Sequence, residues 1–216
     1  MCPAVGPRLL LASERRCGGA RVQAEETPNS IPMYRRTSSS CWRISVVAVL
    51  GHIPPIDGFS TDIHGALFAA LLGMYAGPAD EGEQVLQPLR ELADPLAGFS
   101  ERMQYVDAQQ IYDADYPAGH RYYGKATNLP ALPGEAVDAL VGQARRAPSQ
   151  HSTVDIRLNG GAISRVADDA TAISARDGLY VINPEANWED AGEDDANLAR
   201  ARDVLASVET HASGGA

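Results

Sequence analysis

Lysine is almost absent from this chain of 216 residues: Lys125 stands alone beside 17 arginines. Such a skew follows genomic base composition more often than chemistry, but it makes the single ammonium group worth locating. Cysteine is missing after Cys41, and Cys2, Cys17 and Cys41 have no metal-ligand spacing. Disulfides therefore contribute nothing to the body of the fold, and the expected compartment is the cytoplasm. Long apolar runs are missing too. The longest, residues 66–76, is interrupted by Gly73 and is shorter than the roughly 18 residues a membrane span needs. Membrane insertion is not expected.

Chemical signatures are equally sparse. The five histidines (His52, His64, His120, His151 and His211) are scattered, with no pair three or four residues apart, so no metal is expected. Asp62 and His64 share one face of a strand-like stretch, an arrangement more typical of a surface contact than of a ligand pair. No Gly-x-Ser-x-Gly nucleophile elbow occurs, and no catalytic residue is assigned. Gly160-Gly161 falls in a turn rather than at a helix start, so it is not a dinucleotide-binding loop.

What is present describes a soluble globular chain, 44% hydrophobic and 21% charged, long enough for a substantial core. The charge is unevenly spread. Residues 1–50 hold seven arginines against three acids, while the remaining 166 hold 25 acids against 11 basic groups. An acidic body repels phosphate backbones, which excludes nucleic acid as its partner. Residues 1–50 are rich in Arg, Ser and Cys and punctuated by proline. That composition suits a transit peptide, but Glu14, Glu25 and Glu26 and the lack of an amphipathic helix oppose it. A disordered or extraneous segment is expected there, with a short strand at 42–50 as its one ordered piece.

From about residue 53 the pattern becomes regular. A buried strand is expected at 65–76, then a helix opening at Pro78-Ala79-Asp80 with Val85, Leu86, Leu89 and Leu92 on one face. A short helix at 106–112, a strand at 120–126 and a helix at 133–147 with Val137, Leu140, Val141 and Ala144 inward follow. Thr153–Leu158 alternates as a strand, Asn159-Gly160-Gly161 supplies a hairpin turn, and 162–166 returns. A strand at 179–188 and a helix at 193–211, burying Leu198, Ala201, Val204, Leu205 and Val208, close the order. Hairpin pairing requires an antiparallel sheet, so the class is α+β with helices packed on one sheet face. The acidic run at 193–195 reads as charge favoured at a helix N-terminus.

Two features suggest binding. In Arg121-Tyr122-Tyr123-Gly124-Lys125, strand alternation sets Arg121, Tyr123 and Lys125 on one face and Tyr122 on the other. Polar aromatics beside a cation suit a phenol-like or sugar-like ligand, but the residues alone favour a plain solvent-facing strand. Asn183, in the middle of an apolar strand, needs a polar partner: substrate, water or a neighbouring strand.

A family resemblance adds to this reading. Residues 54–216 resemble the C-terminal, substrate-binding part of FAD-linked oxidases of the berberine-bridge-enzyme type, in the vanillyl-alcohol-oxidase superfamily. The matching stretches are Glu83-Gln84-Val85-Leu86-Gln87-Pro88-Leu89-Arg90, Tyr105-Val106-Asp107-Ala108-Gln109-Gln110 and Tyr116-Pro117-Ala118-Gly119-His120-Arg121-Tyr122-Tyr123-Gly124-Lys125. Gly160-Gly161-Ala162, Arg176-Asp177-Gly178-Leu179-Tyr180, Asn187-Trp188-Glu189-Asp190 and the closing Gly214-Gly215-Ala216 follow in the family's order. The resemblance implies oxidation of an alcohol, sugar or amine by hydride transfer to FAD. It implies an antiparallel sheet, backed by helices, that roofs the flavin.

The family's substrate-facing polar position falls on Asn183, and the lysine some relatives carry two residues earlier is Val181 here. An amide orients a hydroxyl but is a poor proton acceptor, so a general base must lie elsewhere. Tyr123 and Lys125 are the further candidates for lining the pocket. The family's flavin-binding domain has no counterpart in this sequence, and relatives run on past the position of Ala216 into a Tyr-x-Asn segment. Pro184 is awkward in the key strand, because it lacks a ladder donor. The expectation is a substrate-domain fragment, truncated at its C-terminus and inactive alone, because the cofactor carries the hard chemistry. The alternatives are a split module that docks on a separate flavin-binding domain and a remnant reading frame without function.

Overall fold

The computed structural model describes residues 44–55, 59–98, 100–161, 163–167, 169–172, 176 and 178–213, with the backbone alone of 4–5 and 10–13. Most of the expected N-terminal segment, and the closing Gly214-Gly215-Ala216, lie outside the described residues. In chain order the elements are β1 (Ala4–Val5), β2 (Leu10–Ser13), β3 (Ile44–His52), β4 (Leu67–Tyr75), α1 (Ala79–Arg90), β5 (Arg102–Met103) and α2 (Tyr105–Ala108). Then come β6 (Arg121–Gly124), β7 (Thr127–Leu129), α3 (Gly134–Arg145), β8 (Thr153–Leu158), β9 (Tyr180–Trp188) and α4 (Asp194–Ala206). Strand β3 takes in residues 44–50, which the sequence grouped with the N-terminal segment. Asp62 lies in a 3₁₀ turn, Thr61–Ile63, with His64 just after it, rather than on a strand.

The chain divides into two units, residues 1–46 with 70–111 and residues 47–69 with 112–216. In the first, β1 pairs antiparallel with β4 and β5. Helix α1 follows Pro78, with Asp80 and Glu81 in its first turn, where acids complement the helix dipole. Tyr75, Ala79 and Leu86 are buried together, with Ile44, Val85 and Leu89 packed against them. Leu92 departs from expectation: α1 ends at Arg90, so the helical period does not carry Leu92 inward and it stays 64% exposed.

The second unit is built on β9. Strand β8 pairs with β9 antiparallel over its full length, and residues 47–50 of β3 pair antiparallel with β8. On the other edge of β9 lie β6 and β7, in one continuous register. The two-residue break between them, Lys125–Ala126, stands opposite Asn183–Pro184. Pro184's missing N–H thus coincides with an interruption of the ladder, the setting in which a strand tolerates proline.

Helices α3 and α4 cover one face of this sheet. Leu50, Leu129, Val154 and Ile182 from the strands meet Ala136, Leu140 and Ala144 from α3 and Val204 and Val208 from the α4 region. Val137 is 36% exposed, because the inward stripe of α3 runs through 136, 140 and 144. The antiparallel α+β class with helices on one face is therefore observed. The expected return strand at 162–166 is not. Ile163–Arg165 form a 3₁₀ turn, and the partner of β8 is β9, with Leu158 opposite Tyr180. Both edges of β8 are occupied, by β3 and β9, which leaves no ladder for 162–166 to join.

Two polar devices fix α4. Asp194 accepts from Trp188 Nε1 (2.8 Å) and from Arg121 Nη2 (2.6 Å), joining the helix start to β9 and β6. Arg121 holds the Asp194 carboxyl below its ordinary range. Deeper in, Arg200 is only 5% exposed and donates from Nη1 to Thr153 O at 3.1 Å. Its Nε and Nη2 have no hydrogen-bond partner, and burial pushes its pKa down to about 10. A desolvated charge without a counter-ion is a stability cost. Arg200→Met is therefore expected to raise the unfolding free energy by about 1 kcal/mol or more, read from urea denaturation. A drop of similar size would show that the bond to Thr153 outweighs burial.

Candidate functional site

Alternation along β8 and β9 sorts their side chains onto two faces. Val154, Ile156, Tyr180 and Ile182 turn toward α3 and α4. Thr153, Asp155 and Arg157, and Val181, Asn183, Glu185 and Asn187, take the opposite face. Register then places Thr153 opposite Glu185, Asp155 opposite Asn183 and Arg157 opposite Val181. Directly paired residues share a face, with their Cβ atoms about 5 Å apart. Five polar side chains converge this way, on the face turned from α3 and α4.

Arg157 Nη2 donates to Asp155 Oδ2 and to Glu185 Oε1, each at 3.2 Å. Thr153 Oγ1 donates to Asp155 Oδ1 at 3.1 Å, and Asn183 Nδ2 donates to Glu185 Oε1 at 2.7 Å. The Tyr116 hydroxyl donates to Glu185 Oε2. Asp155 is 9% exposed, and burial, reinforced by the Glu185 charge, pushes its pKa up to about 6 against the opposing pull of Arg157. Burial also raises Tyr112, with Asp155 adding to the effect, and it raises Tyr116, which the bond to Glu185 reinforces.

The segment before β6 is tied to this face. Asn187 Nδ2 donates to Asp115 O at 3.2 Å, its Oδ1 lies 2.9 Å from His120 Nδ1, and Tyr122 Oη donates to Pro117 O at 2.6 Å. An aromatic row results: Tyr116 and Tyr122 have ring centroids 5.7 Å apart, Tyr122 and His120 6.3 Å, and His120 and His151 5.3 Å. Both histidines face Glu189, at 3.7 and 3.5 Å. Histidines far apart in sequence are thus neighbours in space. Even so, no three His, Cys, Asp or Glu among the described residues form a group able to hold a metal.

Of the three residues singled out in the sequence, Asn183 lies on the open face, where its polar partner is the neighbouring carboxylate of Glu185. Tyr123 does not join it. Paired with Ala186, it faces the helix side and packs with Ala186, Trp188, Ala201 and Leu198. Alternation fixes that Tyr122 and Tyr123 part company, and pairing with Ala186 sets the Tyr123 ring on the face that α4 covers. Lys125 is exposed, just past the last residue of β6. Asp155, Arg157, Glu185 and Tyr116 were not singled out. The alternation Thr153-Val154-Asp155-Ile156-Arg157 shows a polar face in the sequence, but not what stands across from it.

No protein-family model matches the chain. Over 147 residues it is 25% identical to the uncharacterized FAD-linked oxidoreductase YvdP of Bacillus subtilis, an alignment covering 66% of this chain and 33% of that protein. Among solved structures it superposes on aclacinomycin oxidoreductase with a TM-score of 0.67 and 16% identity, over 96% of this chain and 42% of that one. The BBE-like protein #28 of Arabidopsis thaliana gives 0.63 and 19%, over 79% and 37%. Berberine bridge enzyme of Eschscholzia californica gives 0.58 and 13%, over 79% and 35%. The fold is that of part of an FAD-linked oxidase. More narrowly, the chain resembles the berberine-bridge-enzyme type and spans about a third of the curated relative it matches.

The described residues do not fit the pyrophosphate of FAD. Helix N-termini that hold phosphate present free N–H groups and a positive dipole end. Here the first turns of α1, α3 and α4 carry Asp80 and Glu81, Glu135, and Asp194 and Asp195, which repel an anion. The positive-φ glycines Gly65 and Gly119 lead into strands, and Gly161 into a 3₁₀ turn.

The elevated Asp155 pKa has a consequence for stability. A carboxyl that binds its proton more tightly when folded favours the folded state at low pH, and that contribution is lost as pH rises from about 4 to about 6. Asp155→Asn is expected to remove this decline, about 2–3 kcal/mol across the window, and to stabilise the chain at pH 7. Urea unfolding at several pH values checks it; an unchanged profile would contradict the assignment.

Proposed function

We propose that this chain is the substrate-side portion of an FAD-dependent oxidoreductase acting on an alcohol, sugar or amine. It binds the substrate on the open face of the β8–β9 sheet and does not catalyse oxidation alone. The observation that carries the reading is the set of convergent donors and acceptors, Asn183, Glu185, Asp155 and Tyr116, on a sheet whose fold is that of FAD-linked oxidases. Asn183, anchored through its amide nitrogen to Glu185, keeps its carbonyl oxygen free to accept from a substrate hydroxyl. Tyr116 and Tyr122 supply aromatic surface beside it. No helix among the described residues is long and apolar enough to cross a membrane.

When bound, FAD supplies the electron-accepting chemistry, and this chain supplies orientation of the substrate. The acid-rich helix starts argue that the cofactor is held by other residues. Purified chain mixed with excess FAD is expected to elute from gel filtration without flavin absorbance. A stoichiometric yellow complex would overturn the claim of inactivity alone.

A second reading is supported by the exposure of Tyr112, Tyr116 and Tyr122, each between 42% and 48%, on the same face. Exposed aromatics around a polar centre suit a docking surface, here for a separately encoded flavin-binding domain. Tagged chain added to a lysate of its own cells is then expected to capture a flavin-containing protein, read by absorbance. Capture of no flavoprotein would remove this reading.

A further inference from the structure

We propose that Asn159 is a site of covalent self-modification, converted through a succinimide to aspartate or isoaspartate by attack of the Gly160 amide nitrogen. The stretch Asn159-Gly160-Gly161 reads as a hairpin turn, yet the strand that pairs with β8 begins only at Tyr180. Asn159 is held on one side alone. Its N–H donates to Leu179 O at 2.8 Å, one step beyond the pairing of Leu158 with Tyr180. The Gly160 N–H donates to no acceptor among the described residues, and the Asn159 side chain has no partner among them. An amide locked in a ladder cannot turn toward the preceding side chain, whereas this one is unlocked. Glycine adds no Cβ to obstruct the approach and reaches the required dihedrals freely.

The other described asparagines lack this combination. Asn128, Asn187 and Asn197 precede Leu129, Trp188 and Leu198, whose side chains obstruct the attack, and each lies within a strand or helix. Asn183 precedes Pro184, which has no N–H to deliver. Asn159 and Gly160 are both partly exposed, so water has access to the ring. The step needs no other reagent. The Gly160 nitrogen forms a bond to Asn159 Cγ, the Cγ–Nδ2 bond breaks, and ammonia leaves with the amide proton. Water then opens the ring at Cγ, giving aspartate, or at the main-chain carbonyl, giving isoaspartate.

Either product is a carboxylate at neutral pH. Alternation assigns the new charge to the open sheet face, because Asn159 continues the β8 register opposite Leu179, two residues beyond Arg157. Side chains two residues apart on a strand share a face, with about 7 Å between their Cα atoms. Arg157 bridges Asp155 and Glu185 through Nη2 alone. A third carboxylate on that face competes for the guanidinium, so the modification reaches the polar network without touching it directly.

The full chain, folded, is incubated at mildly alkaline pH beside a sample held unfolded in guanidinium chloride. Cleavage after Arg157 and Arg165 releases residues 158–165, in which Asn159 is the one asparagine. Mass spectrometry of this piece, against an unincubated sample, is expected to show exchange of ammonia for water. The folded rate should lie within several-fold of the unfolded rate, and Gly160→Ala should slow it. Conversion confined to the unfolded sample, or unchanged in Gly160→Ala, overturns the proposal. Asn159→Asp carries the product charge from the start. Its Arg157 side-chain N–H signals should shift by NMR relative to the unsubstituted chain, while those of the buried Arg200 stay in place. Unmoved Arg157 signals overturn the placement of the charge on the open face.

Discussion

The antiparallel register of β8 on β9 is the constraint from which the site follows. Ile156 stands opposite Ile182 and Val154 opposite Pro184, and that set is held against α3 and α4 by burial. Strand side chains alternate with a period of two, so a slip of β8 by one residue would send Val154 and Ile156 into water and bring Asp155 and Arg157 into the core. The apolar face cannot afford the slip, and the polar face is fixed as a consequence. Asp155, Asn183 and Glu185 are neighbours because Val154, Ile156 and Ile182 must be buried.

Charge in this unit is handled in two ways. On the open face one guanidinium bridges two carboxylates, and hydroxyl and amide donors satisfy the remaining oxygens. Such a network holds a partly buried acid without stranding it, at the expense of raising its proton affinity. Arg200, by contrast, has a single backbone acceptor and two unpartnered nitrogens, Nε and Nη2, beneath the sheet. Burial, reinforced by the Arg200 charge, holds His52 below its ordinary pKa. The first arrangement has the satisfied, convergent geometry of a site. The second is a strain that the apolar core around it must offset.

The fold and the charge at the helix starts bear on the cofactor together. The sheet with its helices has the fold of part of FAD-linked oxidases, over 35–42% of the length of the solved chains it matches. Acids at the starts of α1, α3 and α4 stabilise those helices through the dipole and make the same positions unfit for phosphate.

Much of this protein was legible in its sequence because the information is local. Apolar periods mark β4, α1, α3, β8, β9 and α4, and the parity of Tyr122 against Tyr123 follows from strand geometry. The midstrand polarity of Asn183 likewise called for a partner. Pairing was not legible. The glycines at 160–161 suggest a tight hairpin, yet the chain travels to residue 180 before it returns, because β3 and β9 occupy both edges of β8. Nor could alternation say which face α4 would cover: Ala186 and Ala201 make room for the Tyr123 ring and leave Tyr122 in the open. The joining of Asp155 to Asn183, and of His120 to His151, spans about 30 residues in each case. Residue type and spacing fixed what each strand carries, whereas burial of the opposite face, a property of the whole sheet, decided which polar groups meet.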